Sequence, residues 1–112
     1  YIILKEYFDM TEGKWADFVI SAVKRGPGMG RISQVQVHTD QGKSLGQPEI
    51  VDKIMVAHNI KKGKKYVTVF KINETDWEPG EYVRAFVKDG EAFIRSDDNK
   101  VTLDNLGTLP DL

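Results

Sequence analysis

The dipeptide Asp89-Gly90 places the strongest local constraint on how this chain folds. It separates two short segments, Glu81–Lys88 and Glu91–Arg95, in which apolar and polar residues largely alternate. Asp-Gly between such segments is typical of a two-residue β-hairpin turn, because both residues tolerate the positive φ angles that this turn requires. The pattern therefore predicts an antiparallel hairpin in the last third of the chain.

This predicted hairpin sets Arg84 directly opposite Arg95. Like charges at opposite positions of two strands are unfavourable, so an anion is expected close to them. A carboxylate of the C-terminal tail would serve, and the candidates are Asp97, Asp98 and Asp104. We expect Arg95 to be held by one of these; the alternative is that the arginine pair binds an external anionic ligand.

A second hairpin is predicted around the glycine-rich turn at residues 26–30. The segment before it, Trp15–Arg25, is rich in aromatic and β-branched residues, and the segment after it, Arg31–Thr39, alternates apolar with polar residues. Both faces of the first segment are largely apolar, which is typical of a central strand. The predicted faces are Phe18, Ile20 and Ala22 on one side, and Val19, Ser21 and Val23 on the other.

One helix is predicted from Pro48 to about Lys62. Proline suits the first helical turn, and Gly63 suits the position just after a helix end. Apolar residues recur between them at helical spacing. They are Ile50, Ile54, Ala57 and Ile60. A further strand is predicted at Lys65–Ile72 and a loop around Trp77, Pro79 and Gly80, so the helix should lie between the second and third core strands.

This order of elements predicts an α+β, β-rich fold, with a small curled antiparallel sheet or partly open barrel of about five strands and one helix. The length of 112 residues suits a single domain. We expect residues 1–14 to form an N-terminal arm and residues 15–112 to form one domain. The tail should be ordered and pack back through Leu103, Leu106 and Leu109.

Composition narrows the possible classes of function. The chain has no cysteine, which excludes disulfides, thiolate metal sites and a cysteine nucleophile, and favours a reducing, cytoplasmic setting. The net charge of −1 gives no overall field that would attract nucleic acid or an anionic membrane. No apolar run approaches the roughly 20 residues that span a bilayer, so no membrane partner is expected.

Motifs for catalysis and cofactor binding are incomplete. Gly42-Lys43-Ser44 is similar to the end of a phosphate-binding loop, but Val37 stands where that motif needs its first glycine. His38 and Asp40 supply only two of the ligands that a metal site needs. We therefore predict no catalytic residue, no metal and no cofactor. A small metal-dependent enzyme built on His38, Asp40 and the acidic tail is the least favoured alternative.

The N-terminal arm favours a role in binding or assembly. Its first four residues, Tyr1, Ile2, Ile3 and Leu4, are all apolar. Such a segment can add a strand to the edge of a neighbouring subunit's sheet. We therefore predict a non-enzymatic binding or assembly module that acts through a protein partner or through self-association into a homo-oligomer.

A basic run offers an alternative partner, nucleic acid. Clustered lysines contact phosphates, and neighbouring aromatic rings can stack on bases. The candidate binding residues are Lys61, Lys62, Lys64, Lys65, Tyr66, Arg84 and Arg95. Because the chain as a whole is not basic, a solvated helix end is the simpler interpretation of the lysines.

Three stretches carry a family resemblance: FVISAVKR with ISQVQVHTD, then KKYVTVFK, then FIRSDDNKVTLDNLGTLP. Within the last of these, the matching elements are Arg95-Ser96, Asp104-Asn105-Leu106 and Leu109-Pro110. From Phe18 to Leu109 the chain resembles the family known as domain of unknown function 3892. The resemblance implies a small intracellular domain from bacteria, archaea or their phages, with an ordered tail that is functional or completes the fold. It implies no activity, cofactor or catalytic residue.

Overall fold

The structure is a computed structural model, and it describes residues 14–27, 30–42, 44–74, 76–97 and 103–112. These residues form seven strands and one helix, which confirms the α+β, β-rich class. In chain order the elements are β1 (Phe18–Arg25), β2 (Ile32–Thr39), β3 (Glu49–Asp52), α1 (Lys53–Lys61), β4 (Tyr66–Lys71), β5 (Trp77–Tyr82), β6 (Arg84–Lys88) and β7 (Glu91–Arg95). Within the described residues, no helix is long and apolar enough to cross a bilayer.

The strands form two sheets, and the larger one is mixed rather than wholly antiparallel. Its order is β3-β2-β1-β4-β5, while β6 and β7 form a separate two-stranded sheet. The hairpin predicted around residues 26–30 is confirmed, because β1 and β2 pair antiparallel. However, β1 pairs with β4 in parallel, which requires a crossover, and β3 with α1 lies in that connection. Neither sheet closes into a barrel within the described part of the chain.

The helix begins later than predicted. Glu49–Asp52 pairs with β2 as the edge strand β3, and α1 begins only at Lys53. The buried residues of α1 are Lys53, Val56 and Ala57, whereas Ile54 is 70% exposed. Pairing with a neighbouring strand therefore overrides the helical spacing of the isoleucines, as tertiary context often overrides local preference.

A bulge in β1 changes which of its side chains face the helix. The pairing with β2 slips between Ile20 and Ala22, so that Ser21 is an extra residue. One extra residue reverses the alternation of the residues that follow it. Ile20 and Val23 consequently both enter the main core, while Ser21 and Ala22 line a cavity with Val69 of the other hydrophobic cluster. The faces predicted for Phe18 to Ser21 are confirmed. Ala22 and Val23 each lie on the face opposite to the one predicted.

Hydrophobic clusters cover both faces of the large sheet, since neighbouring residues of β1 point in opposite directions. Ile20 belongs to the main core, which α1 and the hairpin β6–β7 cover. Val19 belongs to a smaller cluster on the opposite face, which we call the second face. Its members are Ala16, Val19, Val67 and Val69, with Trp15, Leu45 and Trp77 packed against them.

A segment predicted to be a loop forms the other edge strand, β5. Pro79 is tolerated there because an edge strand has one side without a pairing partner. A side chain at Gly80 would collide with the hydroxyl of Thr68 and the ring of Phe70, so only glycine allows β4 and β5 to approach this closely. The strand predicted from Glu81 to Lys88 is consequently divided, with β6 beginning at Arg84.

The hairpin around Asp89-Gly90 is confirmed. β6 and β7 pair antiparallel, with Arg84 opposite Arg95 as expected. Asp89 has φ 54° and Gly90 has φ 80°, so both turn residues adopt the left-handed conformation that a two-residue hairpin turn requires.

Candidate functional site

The predicted link between Arg95 and the tail is confirmed, and the acidic partner is Asp97. The guanidinium donates to both carboxylate oxygens of Asp97, from Nε at 2.7 Å and from Nη2 at 3.0 Å, and Nη1 donates to the carbonyl of Leu103 at 2.8 Å. These charge-assisted hydrogen bonds to Asp97 raise the pKa of Arg95. Asp98, another predicted candidate, lies outside the described residues. Because Arg95 is buried and engaged by internal acceptors, it does not join an open basic surface.

Asp104 ties the tail to three other elements. Its fully buried side chain accepts hydrogen bonds at 2.8 Å from the Ile32 N–H and from Nζ of Lys53, and at 2.9 Å from the Ile94 N–H. Ile32 begins β2, Lys53 begins α1 and Ile94 lies in β7. We call Lys53, Arg95, Asp97 and Asp104 the tail clasp. Lys53 was not expected in the core, and the chain places it there because a carboxylate is available to pair with it.

Backbone pairing holds the rest of the tail in place. Asn105 donates its N–H to the carbonyl of Ile94 at 3.0 Å. Val23 donates to the carbonyl of Pro110 at 3.0 Å and accepts from the N–H of Leu112 at 2.8 Å. Of the three tail leucines predicted to pack back, Leu106 and Leu109 are buried and Leu103 is exposed. The described part of the tail, residues 103–112, therefore packs on the domain and completes the fold, which is one of the two roles that the family resemblance implied.

The basic run lies at the surface where α1 ends. Lys61, Lys62, Lys64 and Lys65 are all exposed. Tyr66, by contrast, is buried, and its hydroxyl accepts a hydrogen bond at 2.9 Å from Nδ2 of Asn59. Burial raises the pKa of Tyr66. Its ring is therefore not available for stacking on a base.

A cavity of about 390 Å³ adjoins the basic run. Lys64 and Lys65 line it, together with Tyr82, which is 53% exposed. Tyr82 is the accessible aromatic residue of this surface. The sequence pattern did not distinguish it from the neighbouring strand residues as a binding residue. The structure does not add Arg95 to this surface, because the tail clasp holds it.

Asp40 is a structural residue of a loop rather than part of a metal site. Its carboxylate accepts hydrogen bonds from the backbone N–H groups of Trp15 at 2.6 Å, Ala16 at 3.2 Å and Gly42 at 2.9 Å. Both His38 and Asp40 are buried. Among the residues that the structure describes, no group of three acidic or histidine side chains could hold a metal ion.

His38 pairs instead with Ser21 on the second face of the sheet. Nε2 of His38 lies 2.8 Å from Oγ of Ser21, and Nδ1 lies 3.0 Å from the carbonyl oxygen of Gly46. A carbonyl only accepts, so Nδ1 carries the proton of the neutral ring and Nε2 accepts from the serine hydroxyl. Nε2 of Gln36 donates to the same Oγ at 3.0 Å. No nucleophile–base pair is evident from the sequence, because Ser21 and His38 meet only through strand pairing and the bulge.

Exposed apolar residues surround the edge strand β3. Ile50 is 49% exposed, Ile54 is 70% exposed and Met55 is 51% exposed. Val51 packs on the main core, so Ile50 lies on the opposite face of the sheet from it, while Met55 shares a cavity with Val51. We call Ile50, Ile54 and Met55 the edge patch. It presents apolar surface on both sides of one sheet edge. The sequence analysis did not predict this feature, because it assigned residues 49–52 to a helix.

Comparison with known proteins identifies the family of this chain. No curated protein and no solved structure matches the chain. One family profile, described as a protein of unknown function (DUF3892), matches residues 19–110. The match runs from β1 through the tail clasp, so it covers nearly the whole described domain. The chain therefore belongs to the family DUF3892.

Proposed function

We propose that this protein is a binding and assembly module whose large sheet is extended at β3 by an apolar segment of a second copy. The observation that carries the proposal is the edge patch, which flanks an edge strand of only four residues. An edge strand offers backbone N–H and C=O groups to an added strand. Exposed apolar residues gathered around such an edge favour a protein partner.

The opposite edge of the sheet is less suited to an added strand. β5 contains Pro79, which has no N–H to donate. Proline at an edge is a common means of preventing strand addition. In β3 every residue can donate a backbone N–H, so it is the receptive edge of the two.

The segment Tyr1–Phe8 of a second copy fits this edge by composition. In an extended strand its side chains alternate, and both resulting faces are apolar over the first four residues. Paired with β3, one face would lie beside Ile50 and the other beside Met55. The residues of this arm lie outside the described structure, so the fit rests on the edge and on the sequence.

Light scattering after gel filtration tests the proposal. The full chain should form a dimer or larger oligomer whose mass falls on dilution, and both deletion of residues 1–8 and Ile50→Asp should give the monomer. Ile72→Asp is the matched control, because Ile72 is 60% exposed but lies just beyond β4, away from the edge patch. A monomeric full chain at all concentrations, or an unchanged mass for Ile50→Asp, would refute the proposal.

A peptide experiment identifies the occupant of the edge. The chain lacking residues 1–8 should bind a fluorescent peptide of Tyr1–Phe8 with a solubilising lysine tail, and the same chain with Ile50→Asp should not. Binding of a scrambled peptide with equal affinity would show that the edge patch accepts any apolar segment. The proposal of a specific self-assembly site would then be wrong.

Nucleic acid is the second candidate partner, and the cavity lined by Lys64, Lys65 and Tyr82 is the observation that favours it. Phosphate contacts by lysines release counterions, so affinity for a random single-stranded oligonucleotide should fall steeply as salt rises. The double variant Lys64→Glu, Lys65→Glu should abolish that binding. Lys24→Glu with Lys88→Glu, which changes two exposed lysines elsewhere, should bind normally if the site is local. Equal loss in both variants would indicate nonspecific attraction.

A further inference from the structure

We propose that Ser21 and His38 form a nucleophile–base pair that accepts a short acyl group from an activated ester. This site lies on the second face of the sheet. Serine becomes nucleophilic when a neighbouring base takes its proton, and the base must itself be oriented by a third group. The described residues supply all three of these groups.

The hydrogen bonds have the direction that this chemistry needs. The imidazole Nδ1 donates to the carbonyl of Gly46 at 3.0 Å, so the lone pair of Nε2 is left facing Oγ of Ser21 at 2.8 Å. Both residues are buried: Ser21 is 3% exposed and His38 is 7% exposed. Bulk water therefore does not compete for this hydrogen bond. Here a backbone carbonyl holds the position that a carboxylate holds in the common serine–histidine–aspartate arrangement.

The bulge in β1 places Ser21 and Ala22 on the same face of the sheet. Without the extra residue, Ser21 would still lie on the second face, but Ala22 would face the main core. With it, Ser21 and Ala22 together line a cavity of about 300 Å³. Bulges are frequent beside active sites.

The lining of this cavity indicates the class of substrate. Val69, Phe70 and Trp77 contribute apolar surface, which suits an acyl chain, and Gln36 contributes an amide beside Ser21. A volume of about 300 Å³ is at the small end of ligand pockets, so it suits a short acyl group rather than a fatty one. Gln36 has two amide hydrogens, and the hydrogen bonds of the described residues use one of them. The second can donate to a carbonyl oxygen on which negative charge develops.

The reaction balances without a cofactor. Oγ of Ser21 forms a bond to the carbonyl carbon of the ester while its proton moves to Nε2 of His38. The bond from that carbon to the leaving oxygen then breaks, and the leaving alcohol takes the proton from Nε2. Water repeats the two steps on the acyl-serine and releases the carboxylic acid.

Covalent labelling of the full chain with a biotin-bearing alkyl fluorophosphonate is the decisive experiment. In the folded wild type, Oγ of Ser21 should displace fluoride and carry the phosphonate, as peptide mapping by mass spectrometry would show. Ser44, which is exposed, should stay unlabelled in the same molecule and thereby serves as an internal control. His38→Gln, checked for native circular dichroism, should lower the labelling rate by about 100-fold or more, the usual contribution of a general base.

Hydrolysis assays give the matching substrate profile. p-Nitrophenyl acetate should be hydrolysed at a rate that Ser21→Ala abolishes, and p-nitrophenyl palmitate should not be a substrate. The proposal is overturned if wild-type Ser21 carries no adduct, if Ser44 is labelled as fast as Ser21, or if folded His38→Gln reacts at the wild-type rate. Since the first two readouts use the wild-type chain, they do not depend on any variant folding.

Discussion

The two faces of the large sheet both bury polar side chains, but they bury different kinds. On the side of α1, the tail clasp buries the charges of Lys53, Asp104 and Arg95, while Asp97, the partner of Arg95, is 46% exposed. On the second face, Ser21 and His38 form a neutral pair when the imidazole carries one proton, and the buried carboxylate of Asp40 accepts from backbone N–H groups. We call the first the charged face, because its buried charges lie in ion pairs, and the second the neutral face, because its described polar side chains bond to backbone groups or to one another.

This difference predicts how much a substitution on each face should lower the stability of the domain. A buried charge that loses its partner costs about 3–5 kcal/mol, so Lys53 and Asp104, which are both buried, depend on each other. A neutral hydrogen bond contributes only about 0.5–1.5 kcal/mol net, so its partners can change with less effect on stability. We therefore expect the stability of the domain to depend more on the tail clasp than on the hydrogen bond between Ser21 and His38.

The largest expected effect is on the charged face, from Asp104→Ala. This change leaves Lys53 buried without its carboxylate and removes the acceptor of two backbone N–H groups. We expect it to lower the free energy of unfolding by about 3–5 kcal/mol, measured by urea denaturation. Asp111→Ala is the matched control within the tail, because the contact of Asp111 with Arg25 is largely exposed and should contribute about 0–1 kcal/mol. Equal losses in the two variants would contradict the role of burial.

Proline scanning of α1 should show that the helix packed on the charged face begins at Lys53. Ala57→Pro places proline in the helix interior at a buried position and should destabilise the domain by about 3 kcal/mol or more. Ile54→Pro should have a much smaller effect, because residue 54 lies in the first turn, where N–H groups have no partner within the helix. Thermal melts monitored by circular dichroism distinguish the two variants. If Ile54→Pro were as damaging as Ala57→Pro, the helix would begin earlier, as the sequence pattern predicted.

Arg95→Ala should have the next largest effect. Its buried guanidinium makes charge-assisted hydrogen bonds, and we expect a loss of about 2 kcal/mol in chemical denaturation. Lys62→Ala, at an exposed position, should change little. Unchanged stability in Arg95→Ala would support the alternative of an anion-binding arginine pair. Truncation after residue 98 would not identify the partner of Arg95, because it would also remove Asp104 and the buried leucines Leu106 and Leu109.

A smaller effect is expected on the neutral face. Ser21→Ala removes one hydroxyl and leaves the imidazole of His38 with its contact to Gly46, so the loss should be about 1 kcal/mol in urea denaturation. A loss as large as that of Asp104→Ala would show that the two faces do not differ in the way described. The comparison is cleanest when both variants are measured in the same buffer at neutral pH.

The smallest effect concerns pH. Burial raises the pKa of Tyr66 above the ordinary tyrosine value of about 10, so the folded protein holds this proton more tightly than the unfolded chain does. The corresponding stability is fully present below pH about 10 and is lost as the pH rises through the folded-state pKa. Tyr66→Phe should therefore show a shallower decline in stability as the pH rises above about 10. An identical decline in both proteins would contradict this assignment.

The sequence predicted local elements well because their signals are local. Asp89-Gly90 specifies its turn through the backbone angles that its two residues tolerate, and the register of Arg84 opposite Arg95 follows from that turn. The kind of partner for Arg95, a tail carboxylate, was also predictable, but the sequence left Asp97, Asp98 and Asp104 open. Each of these inferences needed only neighbours along the chain.

What the sequence could not predict depends on distant contacts. The start of α1 moved because residues 49–52 pair with β2, and the bulge at Ser21 depends on how β1 and β2 align. Lys53 gives no sign of burial until the distant Asp104 is placed beside it. The pair of Ser21 and His38 was missed for the same reason, since no short motif contains both residues.

The position of β1 has a consequence for the rate of folding. Among the described residues, its one strand partner nearby in sequence is β2; at one end Phe18 pairs with Tyr66 in parallel, and at the other Val23 pairs with Asp111 of the tail. The central strand cannot acquire its full set of neighbours until the two most distant parts of the chain have met, and closing such long loops costs entropy before any contact repays it. Domains dominated by non-local pairing fold in milliseconds to seconds rather than microseconds. We expect the β1–β2 hairpin to form early and the tail to dock last, so that truncating or loosening the tail would speed unfolding more than it slows folding.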